Sequence, residues 1–147
     1  MITLLRYVNF SGFEITAHDG YRIVIDPFLS GSEEHGIPAS PVPIDSLDQT
    51  DLVLVSHGAF DHLGQAVEIV NRSGALLACG PDVRLHALAH GIPADRIAYL
   101  LSGCTLQTDR VTVKALDVRH ISLFKSGEDW LSATTSTDAL VSPHGVF

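Results

Sequence analysis

Leu52-Val53-Leu54-Val55 is the most restrictive stretch of this chain: four aliphatic residues in a row, followed at once by Ser56-His57-Gly58-Ala59-Phe60-Asp61-His62-Leu63-Gly64. A strand wetted on one side alternates apolar and polar residues. An unbroken apolar run suits a central strand covered on both faces, as in α/β sheets. Such folds place their sites in loops at the carboxyl ends of their strands. The loop after Val55 holds two imidazoles and a carboxylate, at His57, Asp61 and His62.

The rest of the chain is patterned around that strand. Ile2 to Val8, Phe13 to Ala17 and Arg22 to Asp26 are rich in β-branched and aromatic residues and predict an antiparallel meander. Asp19-Gly20 is a hairpin signal between the last two. Pro27 to Ser46, with four prolines and two glycines, predicts an irregular loop of a length that is usually functional. Beyond the histidine loop, the apolar spacing of Ala66, Ile69 and Val70 predicts a helix over Gln65–Arg72, stopped by Ser73-Gly74. A strand follows over Ala75–Cys79. Pro81 then opens a helix over Asp82–His90 that Gly91 ends. Strands are predicted over Ile97–Leu101, Thr105–Gln107 and Val111–Val118, and beyond Ile121 the chain reads as polar and loop-like. The order βββ, loop, β, α, β, α, βββ describes one domain over residues 1–147, with no repeat and no linker.

Charge and composition exclude several roles. Nine basic residues stand against seventeen acidic ones, a formal charge of −8, and the basic residues are scattered singly, so no nucleic-acid surface is expected. No run of ~20 apolar residues is present to span a membrane, and the N-terminal MITLLRY lacks the layout of a signal peptide. Cys79 and Cys104 make no disulfide framework or metal motif; in their apolar surroundings both are expected as buried reduced thiols, in a cytoplasmic protein.

Imidazole with carboxylate suits zinc, iron or manganese better than calcium or magnesium, which favour all-oxygen cages. The plainer alternative is that His57 caps a strand end while Asp61 and His62 supply the polarity of a first helical turn. Context favours the metal. Ser56 to Gly64 resembles the metallo-β-lactamase superfamily pattern [ST]-H-x-H-x-D-H-x-G, and Ile23 to Phe28, containing VIDPF, resembles the strand and aspartate that precede it there. The spacing between them looks most like the branch of metal-dependent hydrolases and ascorbate-6-phosphate lactonases. Val118-Arg119-His120 is similar to the strand end that presents the family's next histidine.

That resemblance implies an α/β (α+β) fold, an αββα sandwich present mainly as its N-terminal βα half. It implies metal ligands at His57, Asp61, His62 and His120, with Asp61 also catalytic, and Asp26 bracing the histidine loop from behind. Zinc, or manganese or iron, would activate a water to attack an ester, lactone or phosphoester in a small-molecule substrate. Two departures stand against this. The family's middle histidine is Ala59 here, and a methyl group ligates nothing; and the family's later ligands are not found before Phe147. The alternative function is therefore a binding or scaffolding protein that kept the fold and lost full metal coordination. Because two helices cover only one face of a sheet, the other is expected to be bare and to drive homo-oligomerisation, with a dimer as the simplest form and His144 reaching a partner's site. His86 and His90 share a helical face without the glutamate of a zinc-protease motif, whereas His18 and His35 are expected in solvent.

Overall fold

The computed structural model describes residues 3–116 together with the backbone of Leu123–Ser126 and Asp129–Ser132. Its centre is a six-stranded sheet in sequential order: β1 (Leu4–Asn9), β2 (Gly12–Thr16), β3 (Arg22–Ile25), β4 (Leu52–Val55), β5 (Leu76–Cys79) and β6 (Ile97–Tyr99). The first three strands pair antiparallel, as the meander predicts; β3 to β6 pair parallel. The Asp19-Gly20 turn forms as expected. Gly20 adopts φ +88°, which a side chain would resist, and the Tyr21 amide bonds to the Asp19 carboxylate at 3.1 Å.

The parallel strands are joined by helices. After β4 come a single turn, α1 (Phe60–Leu63), and α2 (Ala66–Ser73); after β5 comes α3 (Pro81–Ala89). α2 buries Ala66, Ile69 and Val70, the i, i+3, i+4 face read from the sequence, and ends where Gly74 takes the left-handed conformation. All four residues of β4 are buried, which bears out the central-strand reading. Val53 and Val55 face the helices with Val24, Leu77 and Val83, whereas Leu52 and Leu54 face the other way with Ile23 and Ala78.

That second face is not bare at its centre. Leu100, Val113 and Ala115 pack onto it, with Leu106 and Val111 beside them, from the segment containing the hairpin β7 (Thr105–Gln107) and β8 (Thr112–Lys114). The expectation of an uncovered face at Leu52–Val55 and Ala75–Cys79 is therefore corrected, and with it goes the burial argument for a homo-oligomer. Among the described residues, large apolar side chains are exposed on the meander, at Leu4, Leu5, Tyr7, Phe10 and Phe13, and singly at Leu85, Tyr99 and Leu116.

Two further expectations change. Cys79 is buried, and burial pushes its thiol up to about 12. Cys104 is exposed, because the turn at Gly103 (φ +80°) leaves it outside the core. And the chain beyond Ile121 is not all loop: β9 (Leu123–Ser126) and β10 (Asp129–Ser132) form an antiparallel hairpin, with β9 beside α1. Polar residues in those short strands masked their extended conformation.

Candidate metal centre

β4 ends at Val55, and the next residues turn sharply into α1, with extended backbone at Ala59 (φ −64°, ψ 142°) as its N-terminal flank. Gly64 closes the turn at φ +42°; a β-carbon there would lie 2.2 Å from the Pro27 carbonyl oxygen. This close approach is what the glycine at the end of the motif permits. The Gln65 amide donates to the same Pro27 carbonyl at 2.9 Å, and the Gln65 side-chain oxygen accepts from Leu29 N at 2.6 Å. The histidine loop and the loop after β3 are thereby sewn together.

Asp26 stands behind the histidines. It is 5% exposed and has φ +44°, a conformation that costs most residues energy but that aspartate tolerates better. One carboxylate oxygen accepts from Ser56 N at 2.8 Å; the other accepts from Ser56 Oγ at 2.7 Å and lies 2.8 Å from His62 Nδ1. Ser56 Oγ is also 3.0 Å from His57 Nδ1 and 3.2 Å from His62 Nδ1. The two imidazole centroids are 4.1 Å apart. The sequence reading of Asp26 as a brace for the loop is realised in these bonds.

A carboxylate facing Nδ1 fixes the proton there and leaves Nε2 as the donor atom, which is how metal-ligating histidines are commonly held. In kind, this donor set fits a transition metal. In number it is partial: among the described residues no three His, Cys, Asp or Glu side chains are gathered as a metal site. His57 and His62 are brought together. Asp61 sits in the same helical turn as His62, and its carbonyl accepts from Ser11 Oγ at 2.5 Å. Ala59 is buried, 3% exposed, where the family's middle histidine would stand. His120 and His144 lie outside the described residues.

Sequence reasoning missed three positioning side chains. Asp82, in the first turn of α3, accepts from Gly58 N at 3.0 Å and holds the loop from the side opposite Asp26. Ser11 reaches α1 from the β1–β2 turn. Asn9, 7% exposed, donates to the carbonyls of Phe28 and Pro38 and ties down the long loop. None sits in a local pattern; only Asp82, just inside a proline-started helix, had a signal that could have flagged it. His18 and His35 are exposed, as expected, although His35 also bonds Ser32 Oγ through Nδ1 at 2.9 Å and packs on Phe60.

Residues 4–129 match the family model described as the beta-lactamase superfamily domain. The chain belongs to this family. A UPF0173 metal-dependent hydrolase of Methanosphaera stadtmanae is 33% identical over 118 residues, which are 80% of this chain and 47% of that protein. Among solved structures, a metallo hydrolase from the archaeon Ignicoccus hospitalis superimposes with TM-score 0.66 at 26% identity, covering 82% of this chain and 51% of that one. The Rm3 metallo-beta-lactamase shares the fold with TM-score 0.53 at 20% identity, over 88% of this chain and 56% of its own. The chain spans about half the length of the curated relatives it matches. The mixed α/β fold is thus that of the N-terminal half of a metallo-β-lactamase-fold protein, and the relatives' names place the family among metal-dependent hydrolases. Among the described residues no helix is long and apolar enough to cross a membrane.

Proposed function

We propose that this chain carries the histidine-loop half of a metal-dependent hydrolase centre acting on an ester, lactone or phosphoester of a small molecule, in a cytoplasmic setting. The observation that carries the reading is the Asp26 carboxylate, which holds Ser56 and His62 at once and so aims the His57–His62 pair. His57 and His120 would serve one metal position; Asp61 and His62 would serve a second, with Asp61 also orienting the attacking water. β9, which begins three residues after His120 in the sequence, lies beside α1, and this supports His120 as a ligand. A zinc, manganese or iron ion held there supplies Lewis acidity, polarising the scissile group and lowering the pKa of water toward neutrality. The protein's own part is to fix both imidazoles, with His57 buried and His62 part-buried beside it, where charge interactions are screened less by solvent than in open water.

A second reading, a binding protein that keeps the fold without hydrolysis, is favoured by buried Ala59 and by the partial donor set among the described residues. Metal content of tag-free protein purified without chelator separates the two. Stoichiometric zinc, manganese or iron that is lost in His57→Ala and His62→Ala supports the hydrolase centre. Metal-free protein that gains no ester- or phosphoester-cleaving activity on metal addition supports the second.

A further inference from the structure

We propose that half-buried His86 and exposed His90, one helical turn apart at the carboxyl end of α3, form an accessory site for a divalent transition-metal ion, separate from the histidine loop. Helical spacing of four puts both side chains on one face. Their rings stack at 4.0 Å between centroids with 30° between planes. His90 Nδ1 lies 2.8 Å from the His86 carbonyl oxygen, which can only accept. Nδ1 therefore carries the proton, and the metal-binding lone pair resides on Nε2. Two bonds near 2.1 Å at a right angle place donor nitrogens about 3 Å apart, a spacing within reach of two rings whose centroids lie 4.0 Å apart once the side chains turn their Nε2 atoms toward a common ion.

The surroundings favour a cation of this type. The pair occupies the carbonyl end of α3, where the helix dipole is negative. Two imidazoles select zinc, nickel or copper over calcium or magnesium. Burial, and then the neighbouring His90, hold the His86 imidazole below its ordinary pKa, so that it is neutral and competent to ligate near pH 7. Asp82, one turn before His86 on the same face, is the residue that holds Gly58. His86 and His90 thus lie about 6 and 12 Å of helical rise from the anchor of the histidine loop. The ion would complete its coordination with water, since the helix contributes two donors.

The test uses tag-free chain, with zinc titrated by calorimetry and copper(II) followed by electron paramagnetic resonance at neutral pH. In the double variant His57→Ala/His62→Ala, one zinc-binding event should persist, and copper should show coupling to two nitrogens. Adding His90→Ala, a change at an exposed position, should weaken that event roughly tenfold or more, because one arm of a chelate is lost. The copper spectrum should fall to a single nitrogen. If the double variant does not fold, the same comparison in the wild-type background should show one event lost on His90→Ala. Isotherms and spectra indifferent to His90→Ala would overturn the proposal.

Discussion

Removing the Asp26 carboxylate should cost the protein about 5 kcal/mol of stability. Asp26→Ala strips acceptors from Ser56 N, Ser56 Oγ and His62 Nδ1, bonded at 2.8, 2.7 and 2.8 Å around a residue only 5% exposed. A buried donor left unsatisfied costs about 1–3 kcal/mol, and part-buried His62 can recover some of its share from water, so the three together come to about 4 kcal/mol. Alanine at φ +44° adds about 1 kcal/mol that aspartate largely avoids. The sum, about 5 kcal/mol, reaches the lower end of a domain's total stability. Urea unfolding followed by circular dichroism should show either no cooperative transition or a loss of that order. Asp26→Asn is the companion variant. Its amide tolerates the left-handed backbone and keeps one acceptor, so it should fold, lose about 1–3 kcal/mol, and bind zinc roughly 10–100-fold more weakly than wild type. An Asp26→Ala protein within about 1 kcal/mol of wild type would refute the claim that this carboxylate organises the histidine loop.

Three other substitutions or conditions test neighbouring parts of the argument. Gly64→Ala should destabilise by at least about 3 kcal/mol, because the new methyl would meet Pro27 O at 2.2 Å in a backbone region that resists side chains; a thermal midpoint equal to wild type contradicts the close-approach reading. Ala59→His should tighten zinc binding in calorimetry by supplying a third imidazole on the loop, and unchanged affinity would mean that position 59 does not face the ion. Stability should also fall on acidification through the His86 titration. Its folded pKa lies below the ordinary 6.5, so the unfolded chain takes up the proton first as pH drops; the contribution is complete above 6.5 and lost as pH falls through the folded value. Urea midpoints measured from pH 8 down to 5 should decline less steeply in His86→Gln, and parallel profiles would assign the decline to other groups.

Much of this architecture was legible because it is encoded over short spans. The apolar run at Leu52–Val55, the Ala66/Ile69/Val70 spacing, the Asp19-Gly20 turn and Pro81 each act within a few residues, through side-chain periodicity or backbone preference. The motif from Ser56 to Gly64 likewise announced its chemistry, because His57, Asp61 and His62 must leave one short loop together. Tertiary structure alone decided two of the ties that hold that loop: Asp82 meets Gly58 across 24 positions and Ser11 meets Asp61 across 50. The Asp26 brace, which meets His62 across 36, was legible only through the family resemblance. No local pattern specifies such partners, since each bond exists only once the sheet has fixed where two distant backbones pass. The same holds for the covered second face. The run Leu52–Val55 required burial on both faces, which the sequence stated, but that Val113 and Ala115 would cover Leu52 and Leu54 depends on how the chain after β6 folds back across the sheet. Hydrophobic burial is non-directional. A sequence can state which residues must leave water, and only the folded chain selects what covers them.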